Sequence, residues 1–201
     1  MIRTARAYSP TRERLLDADQ DLILAQGFSA TAVDAICEKA KLTKGSFFHY
    51  FDSKEQLGRV LLERFCADGH RLHAGLCGVE RDPLKRIDNY LNGLIKLARD
   101  PQMSKGCLLG TFAQELCDEY PEIRRMCERG FQNWAAQFGE ELAKAKARHA
   151  PKAAFDPEEL AEHLIAIMEG SLILGKAKHT TTTLEQNLRH FRRYLHLLFA
   201  R

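Results

Sequence analysis

Apolar residues recur at intervals of three and four through most of the chain, and no stretch shows the strict alternation of a strand. The pattern predicts an all-α protein of nine helices. Ser9-Pro10 opens the first helix and Gly27 closes it, with Leu15, Ala18, Leu22 and Ala25 as its stripe. Thr31 is placed to cap a short second helix ending near Ala40, with Asp34 as its capping-box partner. Thr43 caps a third, running to about His49. Ser53 and Gln56 open a fourth, which carries Leu57, Leu61, Phe65 and Leu72. Gly75 and Gly78 interrupt that pattern, and Asp82-Pro83 restarts it with Leu84, Ile87, Leu91, Leu94 and Ala98. After the break at Asp100-Pro101, a sixth helix is expected from about Lys105 to Asp118, and Pro121 opens a long seventh. The stretch from Lys144 to Ala154 reads as a polar exit and loop. Asp156-Pro157 caps an eighth helix and Thr183 starts a ninth.

The last two helices, about 157–178 and 183–199, carry two adjacent apolar stripes. On the eighth, Leu160, Leu164, Ile167 and Leu174 run beside Ala161, Ile165, Met168 and Leu172. On the ninth, Tyr194 and Phe199 broaden a face made by Leu184, Leu188, Phe191, Leu195 and Leu198. A helix apolar over so wide an arc is either central or shared with a partner. At the end of a modest chain the shared reading is favoured, which makes the protein a homodimer, with Leu164 and Leu195 as interface positions.

Composition narrows the class without naming it. The 201 residues are 45% apolar and 28% charged, so a full core is available and wholesale disorder is excluded. A net charge of +3 is too small to argue for nucleic acid, so any such argument rests on a local motif. No stretch reaches the roughly 18 continuous apolar residues of a membrane span, and the first ten residues lack a signal-peptide core. A cytoplasmic protein is expected. The six cysteines include no C-x-x-C pair and read as reduced thiols. Cys66, His70, His73 and Cys77 share one helix face, but the row spans about 16 Å, too long for one metal site. No cofactor is expected. Nucleophile-elbow, P-loop and dinucleotide-binding motifs are absent from the sequence, which disfavours an enzyme.

The functional signal lies in TAVDAICEKAKLTKGSFFHYFDSKEQL, from Thr31 to Leu57. It is a short helix, a tight turn at Lys41-Leu42 and a second short helix of small and polar residues. That is the geometry of a helix-turn-helix, whose second helix enters the major groove. Gly45 and Ser46 lack bulk and let the backbone approach DNA. Lys44 and Lys54 can neutralise phosphates, and Thr31 or Thr43, at helix starts, can offer a hydroxyl beside the positive end of a helix dipole. The run Phe47 to Phe51 mixes core anchors with exposed rings, leaving Phe48, His49 and Tyr50 as candidate contacts.

TKGSFFHYFDSKEQL, with GFSATAVDAI upstream, resembles the signature of the TetR family of repressors, over roughly residues 10–65. The resemblance implies a DNA-binding domain at 1–52, a ligand-binding and dimerisation domain at 53–201, double-stranded operator DNA as partner and a small-molecule inducer. Phe48 stands where a tyrosine is common, Tyr50 where histidine is common, and Lys41 where the turn usually has glycine. If Lys41 is left-handed, the substitution costs about 1 kcal/mol. An alternative follows from these departures: a helical ligand-binding or adaptor protein with a non-functional DNA-binding head.

KGCLLGTFAQELCD and EGSLILGKAK are similar to the subgroup of electrophile-sensing repressors related to the N-ethylmaleimide reductase repressor. That similarity implies Cys107 as sensor and Lys176 as its companion. A helix start and nearby Lys105 both favour thiolate at Cys107, against the alternative of a packing thiol. Phe112 and Trp134, with Phe131, Phe138 and Met126, are candidates to line a ligand cavity or simply to fill a core.

Overall fold

The computed structural model describes residues 9–200, so the first eight residues of the expected DNA-binding domain, and Arg201, lie outside the described residues. Among the described residues there are nine α-helices and no strand. They are α1 (Pro10–Gln26), α2 (Val33–Ala40), α3 (Lys44–Tyr50), α4 (Lys54–Cys77), α5 (Pro83–Leu97), α6 (Leu108–Leu116), α7 (Pro121–His149), α8 (Pro157–Lys178) and α9 (Thr182–Phe199), with a 3-10 helix at Pro101–Lys105. Asp82, Asp100 and Asp156 cap the helices that follow them, each carboxylate accepting from backbone N–H groups of the first turn, with proline at the helix start. No described helix is long and apolar enough to cross a membrane.

Several boundaries differ from the sequence expectation. Gly75 does not interrupt α4, which runs on to Cys77 and stops at Gly78 with φ +61. Gly75 meets nothing around it, and the tolerance of one exposed glycine inside a long helix explains the difference. The helix α7 continues to His149 and takes in the first six residues of the stretch read as loop, because Ala145 and Ala150 are buried there. The sixth helix is shorter than expected because the turn at Gly106, φ +111, separates it from the 3-10 helix.

The chain forms two compact units. Of the described residues, the first takes 9–66 and the segment Leu108–Met126; the second takes Ala67–Cys107 and 127–200. The first unit thus extends beyond the 1–52 boundary read from sequence. The physical reason is packing around the loop between α1 and α2. The Phe112 ring sits 5.5 Å from Phe28, and Glu115 accepts the Ser29 N–H at 3.2 Å. Phe112 is therefore a core ring of the first unit, fully buried.

In the first unit α1 packs on α2, α3 and α6. Arg64 of α4 ties to α1 through Glu13 at 3.0 Å and Asp17 at 2.8 Å. The buried face of α1 is Leu15, Leu16, Ala18, Asp19, Ile23 and Leu24, whereas Ala25 is exposed and Leu22 half-buried. The stripe is therefore rotated from the one read in sequence, and it includes a carboxyl. Neither oxygen of Asp19 has solvent contact or a hydrogen-bond partner. Burial pushes this carboxyl up to about 7, against the pull of the Lys54 charge.

In the second unit α8 and α9 pack closely, α5 lies on α9, and the 3-10 helix lies on α8. Leu164 and Leu195, expected at an interface, are instead fully buried in this core with Leu91, Phe138, Leu142 and Leu188. The outward side chains of the pair are Ile173, Leu174, Tyr194 and Leu197. Interior Glu141 is paired with Arg86 and with Lys144 at 3.2 Å.

The Asp19 carboxyl gives a pH signature. Its folded pKa lies above its unfolded one, so the folded state holds the extra proton. The stabilising term is fully present below about pH 4 and is lost as pH rises through about 7. Asp19→Asn removes that loss and should be more stable than the wild type at pH 8 by about 2–4 kcal/mol, with the gap closing towards pH 5. Urea unfolding at the two pH values measures the gap; a constant difference would show that the carboxyl does not titrate in the fold.

Candidate nucleic-acid interface and sensor site

The helix-turn-helix is built from α2, its turn and α3. Lys41 closes α2 in the left-handed region, φ 52 and ψ 50, and the Leu42 N–H reaches back to Cys37 O at 2.9 Å. The turn forms with lysine where glycine is easier. Thr43 caps α3, its hydroxyl oxygen accepting the Ser46 N–H at 3.1 Å and lying 3.1 Å from the Ser46 hydroxyl. Phe47 and Phe51, one turn apart, point into the core with centroids 5.8 Å apart. That fixes the opposite direction for Phe48, which is 53% exposed.

The outward surface of α3 gathers Thr43, Lys44, Gly45, Phe48 and His49, all exposed, with Ser46 and Tyr50 half-buried. Lys44 pairs with Asp34 of α2 at 2.7 Å, and that carboxylate holds the lysine above its ordinary range. Both partners are mostly exposed, so the pair is easily exchanged for another anion. A Cβ on Gly45 would meet only Thr43 Oγ1, at 3.6 Å. Nothing inside the fold requires glycine here. Tyr50 shares a hydrogen bond with Ser9 at 2.9 Å, and its ring stands edge-on to His49 at 4.8 Å. Ser9 caps α1 without a side-chain bond to its first turn.

Two expected phosphate contacts are placed differently. Thr31 is not the cap of α2; Ala32 holds that position. The Thr31 side chain is wholly buried and donates to Gly27 O at 2.7 Å, so its hydroxyl is not presented to a phosphate. The Lys54 ammonium donates to Phe28 O and Thr31 O, both at 2.9 Å, and sits 4.2 Å over the Phe28 ring. Both residues close the loop between α1 and α2.

In the second unit, Cys107 is half-buried immediately before α6 begins. Its thiol is hydrogen-bonded to the carboxyl of Glu169 on α8, and burial pushes that carboxyl above its ordinary range. Sequence reasoning missed Glu169, although it opens the quoted stretch EGSLILGKAK and is the single charge between Leu164 and Gly175. Lys176 lies exposed two turns further along the same helix face. Trp134 donates its indole N–H to Tyr90 at 2.9 Å, and burial pushes the Tyr90 phenol up to about 12. Trp134 and Tyr90 thus form a satisfied pair at the edge of the core. His73 packs on Tyr90 and lies 3.8 Å from Cys77 Sγ, but among the described residues no three potential metal ligands converge. An open apolar groove runs between α8 and α9, lined by His163, Ile167, Gly170, Leu174, Phe191 and Tyr194.

The comparisons with known proteins cover both units. The family described as "Bacterial regulatory proteins, tetR family" matches residues 15–59, and "Tetracyclin repressor-like, C-terminal domain" matches residues 83–191. The chain is 29% identical over 183 residues to the repressor DhaR of Mycobacterium sp. (strain GP1), covering 90% of each protein. It is 30% identical over 181 residues to the repressor NemR of Escherichia coli (strain K12), covering 90% of this chain and 91% of NemR. Among solved structures, a TetR regulatory protein from Rhodobacter sphaeroides superposes with a TM-score of 0.82 at 26% identity, over 92% of this chain and 98% of that one. The reduced form of Escherichia coli NemR gives 0.75 at 28% identity, over 91% and 96%.

The left-handed lysine makes a stability prediction. Lys41→Gly should raise the unfolding free energy of the first unit by about 0.5–1 kcal/mol, since glycine adopts this conformation without strain. A thermal melt of the variant measures it; a lower melting temperature would mean that the Lys41 side chain contributes more than its backbone strain removes.

Proposed function

The chain belongs to the TetR family of helix-turn-helix transcriptional regulators, and we propose that it is a cytoplasmic homodimeric repressor, released from operator DNA when an electrophile or small ligand reaches Cys107. In this reading residues 1–52 bind DNA and 53–201 dimerise and receive the signal. The relatives and their fold are regulators, not enzymes.

The observation that carries the DNA-binding reading is Gly45. It is exposed on the first turn of α3, and no side chain of the fold occupies the space a Cβ would take. A glycine that the fold does not need, between Lys44 and Ser46 at a helix N-terminus, suits close approach of a phosphate or base edge. Lys44 exchanges Asp34 for a phosphate, Thr43 and Ser46 offer hydroxyls, His49 and Tyr50 reach the backbone, and Phe48 meets a thymine methyl. Thr31 and Lys54 serve by ordering the loop that positions α2. Two such heads read successive major grooves, about 34–36 Å apart.

The DNA prediction sets stability against binding. Gly45→Ala should melt no lower than the wild type, because alanine is the better helix former, yet should lose at least about tenfold in operator affinity if the backbone approaches DNA there. Lys44→Ala should flatten the salt dependence of binding by about one unit of slope. Gel shifts across a salt series with DNA flanking the gene read both. Full affinity in Gly45→Ala would remove α3 from the groove.

The dimer reading rests on the exposed apolar side chains of α8 and α9 beside their groove. Ile173→Glu and Leu197→Glu change side chains that the monomer core does not use. They should give folded monomers with weakened operator binding, because the avidity of two linked heads is lost. Sedimentation measures this; a wild-type chain that sediments as a monomer at micromolar concentration overturns the reading. The signal is tested by Cys107→Ser, which should bind operator but no longer release it on treatment with maleimides or quinones. Release like the wild type would make a non-covalent inducer the better account.

A further inference from the structure

Glu169 occupies an unusual place for an acidic residue. It lies mid-helix in α8, remote from the helix ends where caps and dipoles would favour its charge. Its neighbours along the chain from Leu164 to Gly175 carry no charge. One carboxylate oxygen, Oε1, is shut off from solvent and has no hydrogen-bond partner. The carboxyl is hydrogen-bonded to the Cys107 thiol. The 3-10 helix packed on α8 and the left-handed turn at Gly106 deliver that thiol to it. A largely desolvated carboxyl with an unmet oxygen is unfavourable to folding, and its pairing with sulfur is what distinguishes the position.

We propose that Glu169 is the specificity-determining partner of Cys107, accepting the thiol proton as sulfur attacks and favouring uncharged electrophiles over anionic ones. The proposal rests on the sensor reading of Cys107. With an α,β-unsaturated carbonyl, the thiol proton passes to the Glu169 carboxylate as the S–C bond forms at the β-carbon. The electron pair of the C=C bond moves to the carbonyl oxygen. The enolate then takes the proton back at its α-carbon, so S and H have added across the double bond and Glu169 is regenerated. No oxidant or reductant enters. Burial raises the carboxyl towards the thiol range, which makes it a more competent base than a solvated carboxylate. The same charge, poorly screened, opposes a reagent that brings a second negative charge to the sulfur.

Iodoacetamide and iodoacetate are matched in size and differ in charge, so they separate this role from packing. The rate of alkylation at Cys107 is measured at pH 8 on the full chain by peptide mass spectrometry, for the wild type, Glu169→Gln and Glu169→Asp. The amide-to-acid rate ratio of the folded wild type should exceed that of the urea-unfolded chain by about tenfold or more. Glu169→Gln, isosteric but uncharged, should bring the ratio down to the unfolded value, and Glu169→Asp should keep most of the discrimination. Lys105 and Lys176 are unchanged between the folded wild type and folded Glu169→Gln, so their influence cancels in that comparison, which is the decisive one. A folded wild-type ratio equal to the unfolded one overturns the proposal whether or not the variants fold. So does an unchanged ratio in Glu169→Gln, or a folded Cys107 that reacts with neither reagent. If the ratio behaves as expected but alkylated protein still holds operator DNA, the sensor reading fails and the chemical role of Glu169 stands.

Discussion

The first unit depends on one ammonium group. Lys54 stands at the start of α4, yet its charge is delivered to the loop between α1 and α2, where it bonds two carbonyl oxygens and covers the Phe28 ring. Phe28 O also accepts the Thr31 N–H at 3.0 Å, so the lysine adds a second bond to that carbonyl and ties it to Thr31 O across an irregular segment. Thr31 and the Glu115 carboxylate complete the closure by bonding Gly27 O and the Ser29 N–H. Three polar side chains from three parts of the chain thus fix the residues that precede α2. The direction of α2 sets the turn at Lys41, and the turn sets which face of α3 is bare.

The bare face was largely legible in the sequence, because its logic is local. Thr43, Phe47 and Phe51 announce a capped helix with an inward aromatic pair, and helical periodicity then sends Lys44, Gly45 and Phe48 outward. Thr31 and Lys54 were not legible in the same way. Each is a residue type that suits a phosphate, yet a backbone carbonyl takes its hydrogen bond first: for Thr31 the local Gly27 O four residues back, and for Lys54 two carbonyls that only the tertiary fold brings near. A sequence lists donors, whereas acceptors 23 and 26 residues away along the chain become neighbours only in the fold.

In the second unit the surplus of apolar residues on α8 and α9 was visible, but its division between inside and outside was not. Leu164 and Leu195 are equivalent by hydropathy to Leu174 and Leu197. The first pair fills the core with Phe138 and Leu188, while the second is exposed. What decides between them is the placement of α5 against α9 and of the 3-10 helix against α8. Polar anchoring confirms the inward side: Ser171 is buried, donates to Ile167 O and accepts from Asn187 at 2.8 Å. Arg192 and His196 reach Asp88 of α5 at 2.7 and 2.9 Å, and hold that carboxyl below its usual range despite its partial burial.

Three carboxyls with an oxygen that finds no partner escaped the sequence reading, Asp19, Glu141 and Glu169; Glu141 is ion-paired with Arg86 and Lys144, and the other two escaped for the same reason. Pattern reading assigns an isolated acidic residue to solvent, because burying an unpaired charge costs several kcal/mol. Asp19 and Glu169 both sit on apolar helix faces, with both oxygens of the first and one of the second finding no partner, and burial pushes both upward. Local propensity and periodicity agree with the fold almost everywhere else, so these exceptions are informative: a chain retains such a conflict where something other than stability favours it. The two differ in what lies beside them. Asp19 faces the hydrophobic interior of its unit with the Lys54 charge acting on it, so its consequence is a fold whose stability falls as the pH rises through its titration. Glu169 faces a thiol. A carboxyl hydrogen-bonded to a nucleophile has chemistry available to it that a carboxyl among leucines does not, and this is why the second, rather than the first, bears on the proposed signal.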